Sequence, residues 1–164
     1  MLRFCLLLVC VFPLGAASET VLDEKREAEL MKMLGLSDRH LSCSAIASHL
    51  PKESYKPKEI SSYQFVKGAK LFREIMSESS LSEALASDIG YGSFGEISQS
   101  PEAIFGYVLG TRHLKLTQEI ESEINVICRK MSVDETVAFC FLSSSEFEIS
   151  ANQLYTDKNC EFLF

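Results

Sequence analysis

The sequence predicts an all-α protein, a compact single-domain bundle of six or seven helices stabilised by disulfides. Three observations carry that expectation. Apolar residues recur at helical spacing over long stretches, paired start and stop signals punctuate them, and an even number of cysteines remains once a leader is removed.

The chain opens with Arg3 as a positive n-region. An apolar stretch from Phe4 to Leu14 follows, broken only by Pro13, and then the small residues Gly15, Ala16 and Ala17. That order is the order of a secretory signal peptide, residues 1–17, and the stretch is too short for a bilayer span, which takes about 20 apolar residues. Cleavage after Ala17 leaves 147 of the 164 residues, long enough to bury a core, so 18–164 is expected to fold as one helical secreted domain.

Within it, Val21, Ala28, Met31 and Leu34 mark one side of a charged helix from Glu19, which Gly35 would close. A shorter helix from Leu41 to Leu50 is bounded by Pro51. Pro57 suits a first helical turn, and Ile60, Tyr63, Val66, Ala69, Phe72 and Met76 make one face of the helix that follows. Ser80 with Glu83 forms a capping box before Leu81, Leu85 and Ile89, with Gly90 as a stop. Ser100, Pro101 and Glu102 start another helix, ended at Gly110.

The clearest stripe is Leu116, Ile120, Ile124, Ile127 and Met131, with Glu119, Glu121, Glu123 and Arg129 mostly elsewhere. Ser132 and Glu135 cap a further helix carrying Val133, Val137, Cys140 and Phe141. The tail is ambiguous. Phe147 and Ile149 alternate with polar residues as a strand would, whereas Ala151, Leu154 and Tyr155 have helical spacing.

Of six cysteines, Cys5 and Cys10 leave with the leader, and Cys43, Cys128, Cys140 and Cys160 remain in an oxidising compartment. Their gaps of 85, 12 and 20 residues match no zinc knuckle, so two disulfides are expected and no metal or cofactor. If the helices on either side of Ser132 form an antiparallel hairpin, Cys128 and Cys140 differ in height by roughly 6 Å on axes about 8–10 Å apart, which separates their Cα atoms too far for a bridge. The expected pairs are therefore Cys128 with Cys160 and Cys43 with Cys140.

Without Arg3 the 16 basic residues become 15 against 23 acidic, taking the net charge from −7 to −8. Nucleic acid and anionic membrane surfaces are thereby disfavoured, the loose alternation Lys52, Lys56, Lys58 being interrupted by Glu53 and Glu59. The string Gly90-Tyr-Gly92-Ser-Phe-Gly95 resembles the glycine-rich loop of protein kinases, yet no catalytic lysine, H-R-D or D-F-G accompanies it. His40, His49 and His113 fit no metal or base motif and read as ordinary positions, His40 exposed beside Arg39. With no G-x-S-x-G and every mature cysteine in a disulfide, no catalytic residue is named and no enzyme is expected. Lys25-Arg26 before Glu27-Ala28-Glu29 has the form of a dibasic processing site, set in a charged helix that would resist cleavage.

Two functions remain as expectations. In size, leader and disulfide number the chain is similar in class to the helical cytokines, which implies signalling through an extracellular protein or receptor. The alternative is an extracellular carrier of an apolar small molecule or lipid, suggested by 11 Phe and 5 Met without a Trp. An apolar cavity of about 300 Å³ or more would favour the carrier.

Overall fold

The computed structural model describes residues 24–52, 56–78, 100–131, 140 and 144–163. The expected signal peptide, the Ser80–Gly90 helix, the glycine-rich string and all of the expected helix after Ser132 except Cys140 lie outside them.

Every regular element among the described residues is helical: α1 (Glu24–Ala47), α2 (Pro57–Met76), α3 (Pro101–Met131), α4 (Ser145–Asp157) and a 3-10 turn (Cys160–Phe162). Among the described residues there are four α-helices, and the expected count of six or seven is not supported. Two expected stops are overrun, so that expected pairs of helices merge into α1 and into α3. Gly35 and Gly110 lie inside α1 and α3 with helical backbone, because a stop needs the left-handed conformation and neither adopts it. A glycine inside a helix costs about 1 kcal/mol. Buried residues on both sides, Leu30 and Leu41 in α1 and Val108 and Ile120 in α3, offset that cost by keeping each rod against the core.

The tail resolves as helix. The Ser144 hydroxyl accepts a hydrogen bond from the Phe147 amide at 3.2 Å, an N-cap that starts α4, and Phe147, Ser150, Ala151, Leu154 and Tyr155 then fall on one buried face. Ile149, which alternation would have placed beside Phe147, points outward.

Contact pairs give the directions. Ser37 reaches Gly68 and Ser44 reaches Ser61, so α2 runs antiparallel to α1. Asp38 pairs with Arg112 and His49 with Glu121, so α3 runs alongside α1 in the same sense. Glu123 pairs with Lys158 and Met131 meets Ser150, turning α4 antiparallel to α3. Helix α1 touches each of the other three. One core gathers Leu41, Phe72, Val108 and Leu109 among α1, α2 and α3; the other gathers Ile46, Ile120, Ile124, Phe147, Leu154 and Cys160 among α1, α3 and α4.

A polar seam joins α1 to α2. Ser37 donates to the Gly68 carbonyl at 3.0 Å, His40 Nδ1 meets Gln64 Oε1 at 2.5 Å, and the Ser44 hydroxyl donates to the Ser61 carbonyl at 2.8 Å. The serines and Gly68 let the two backbones approach closely. At Gly68 a Cβ would stand 2.9 Å from Leu41 Cγ and 3.0 Å from the Ser37 carbonyl oxygen. Gly68→Ala should therefore destabilise by about 1–2 kcal/mol, because the overpacking cost exceeds the gain in helix propensity. A urea midpoint at or above wild type would show that the helices separate freely at this point.

The disulfides join Cys43 to Cys160 (Cα–Cα 5.6 Å) and Cys128 to Cys140 (Cα–Cα 6.2 Å), which reverses the expected pairing. The hairpin assumption is what fails. Cys140 itself is not helical and packs against the core, with its Cα 6.2 Å from that of Cys128, within reach of a bridge. Helix α4 then returns beside α3 and α1, and delivers Cys160 to the middle of the buried α1 face at Cys43.

Candidate functional site

Helix α2 has two contrasting sides. Gln64, Gly68, Phe72 and Ile75 face the bundle, spaced 4, 4 and 3, with the seam to α1 along them. On the opposite side stand Tyr63, Val66, Lys67 and Lys70 at i, i+3, i+4 and i+7, all exposed. Tyr63 is 38% and Val66 64% exposed, although their sequence periodicity placed both in the core stripe. Lys67 Nζ lies 5.2 Å from the Tyr63 ring centroid, a cation–π contact that holds the ring against the helix surface. Glu59 and Glu74 close the ends of the stripe, leaving an apolar centre with two lysines in an acidic protein.

A groove of about 350 Å³ lies where α2 ends and α3 begins, lined by Arg73, Met76, Ser77, Pro101, Ile104 and Phe105 among others. The Arg73 guanidinium sits 4.4 Å from the Phe105 ring centroid. Lys52, Lys56 and Lys58 gather around a second hollow of about 350 Å³ at the start of α2, where Lys56 pairs with Glu59 at 3.0 Å. Both are hollows in the surface.

The histidines are placed differently from expectation. His40, read as exposed beside Arg39, is buried in the seam against Gln64, because its position on α1 faces α2. His113 packs edge-on to Phe65 at 5.1 Å, and burial holds its pKa below the ordinary 6.5. Burial also lowers the His49 pKa, only partly opposed by the Glu121 carboxylate, whose oxygen lies 3.5 Å from Nε2. Among the described residues no three side chains of His, Cys, Asp or Glu come together as a metal site would need. Nor is any described helix long and apolar enough to cross a membrane.

The lowered histidines predict a pH dependence. In the unfolded chain they take up protons near pH 6.5, in the folded chain only at lower pH, so the unfolded state binds more protons between those values. Stability is then fully present above about pH 6.5 and declines as pH falls through that window. His113→Leu should narrow the difference in unfolding free energy between pH 7.5 and pH 5.5. An unchanged difference would mean that His113 titrates as freely in the folded chain as in the unfolded one.

No protein-family model, curated protein or solved structure matches the chain.

Proposed function

We propose that this chain is a small helical extracellular protein that acts by binding another protein, with the outward face of α2 as its contact surface. The observation that carries the reading is the exposure of Tyr63 and Val66 beside Lys67 and Lys70, on a helix whose other side is packed. Large apolar and aromatic side chains standing together on a surface favour contact with a partner, and Tyr is among the residues that contribute most at such interfaces. The lysines favour a partner with an apolar patch bordered by acidic side chains. Two disulfides support an oxidising compartment as the place of action.

The test is saturable binding of labelled protein to cells of its source. Val66→Glu with Lys67→Glu should abolish that binding while leaving the unfolding free energy within about 0.5 kcal/mol, since both positions are exposed. Undiminished binding by the double variant would move the contact surface elsewhere, and the absence of saturable binding would remove the reading.

The groove supports a second reading, an apolar-ligand carrier. Its volume exceeds about 300 Å³, and Met76, Pro101, Ile104 and Phe105 give it apolar walls. Native mass spectrometry of protein purified from its source separates the two, because a carrier retains lipid mass that a purely protein-binding molecule lacks.

A further inference from the structure

We propose that Lys25-Arg26 is a maturation site at which a dibasic-specific endoprotease of the secretory pathway cuts the Arg26–Glu27 bond of the folded protein. Such enzymes take a basic pair in an extended segment of several residues, so a pair in the middle of a packed helix is protected. This pair is not in the middle. Helix α1 begins at Glu24, which places Lys25 and Arg26 in its first turn.

Residues 24–29 are all exposed, and Leu30, 1% exposed, is the first side chain of α1 that the core buries. Unwinding Glu24 to Glu29 therefore uncovers no buried apolar surface. The leading amides of a helix have no partner within it, so this turn is the part of α1 with the fewest backbone bonds to break. Arg26 ties the turn to the end of α2 through Glu78 at 2.8 Å and to Glu29 at 3.6 Å, both solvent-exposed ion pairs of the weak kind.

The chain's other basic pair makes the contrast. Arg129-Lys130 is exposed too, but it directly follows Cys128, which is fully buried and disulfide-bonded to Cys140. Extending the chain there would pull a core cysteine out of place. Burial thus selects the first pair over the second.

Hydrolysis adds one water across the Arg26–Glu27 bond, leaving a carboxylate on Arg26 and an ammonium on Glu27. The new positive charge falls at a helix N-terminus, where Glu27 and Glu29 offset it. Cys43 lies downstream of the cut, so its bridge to Cys160 still anchors the shortened helix. The cut also takes from Glu78 the guanidinium that it holds, one residue beyond Ser77 in the groove wall.

The experiment incubates the full secreted chain, made in cells under a convertase inhibitor, with a purified dibasic-specific endoprotease, and reads intact mass and the new N-terminus. The expected product begins at Glu27, keeps both disulfides, and is lost in Arg26→Gln. A folded protein that stays whole while its reduced, unfolded form is cut at Arg26 overturns the proposal, as does a first cut after Lys130. In cells without inhibitor the secreted N-terminus should be Glu27, and Ser18 there counts against it. Met1 at that terminus would refute secretion, leaving the purified reaction to decide the site.

Discussion

Replacing Cys43 and Cys160 together by alanine should lower the free energy of unfolding by about 4–5 kcal/mol, the largest loss expected from removing either disulfide. The bridge closes a sequence separation of 117, whereas Cys128–Cys140 closes 12. A long loop loses more conformational freedom when its ends are joined in the unfolded chain, and the same argument gives about 3 kcal/mol for the short one. Both members of the long bridge are also fully buried, in the core shared by α1, α3 and α4. Guanidinium unfolding of the two double variants measures the order directly. A greater loss from Cys128→Ala with Cys140→Ala would mean that the unfolded state is not the open coil the loop argument assumes, or that the pairing is different.

Phe72→Ala should cost about 3–5 kcal/mol, the range for a large aromatic side chain removed from a packed core. Phe72 is fully buried among Leu41, Val108 and Leu109, and its ring lies 6.2 Å from that of Phe105. Arg112 stands over it with its guanidinium carbon 5.8 Å from the ring centroid, while its Nε and Nη2 hold the Asp38 carboxylate at 2.6 Å each. Truncation opens a void where three helices meet. Val66→Ala, on the same helix, should change stability by no more than about 0.5 kcal/mol because Val66 is exposed. The sequence stripe put both residues on one face, so the pair of variants tests which face α2 buries. Comparable losses from the two would mean that Val66 is covered.

Much of the fold was legible because helix signals are local. The Pro57 start of α2 and its end near Met76 follow from one proline and a serine-rich break. Ile120 and Ile124 in the α3 stripe are buried as their spacing required. Misread were the stops at Gly35 and Gly110, since a glycine ends a helix only if the chain turns left-handed there, and packing further along keeps both segments straight.

The candidate face was hidden for a related reason. Ile60, Tyr63, Val66, Ala69, Phe72 and Met76 look like one core stripe to any rule that counts apolar residues. The side of α2 that α1 accepts is instead lined partly by Ser61, Gln64 and Gly68, small or polar residues that hydrogen-bond across a close contact. No hydrophobicity pattern marks such a seam, and with its place taken Tyr63 and Val66 are left outside.

The sequence alone determined the helical class, the starts of α2 at Pro57 and of α3 at Pro101, and the four cysteines available after the expected leader, because these depend on residues a few positions apart. Tertiary structure alone decided the cysteine partners, the burial of His40 and the outward turn of Tyr63 and Val66. Each of these depends on which helix lies alongside which. That choice comes from the summed packing of distant segments: α4 returning along α3 and α1 takes Cys160 to Cys43, and the near-contact at Gly68 turns α2 onto its polar side.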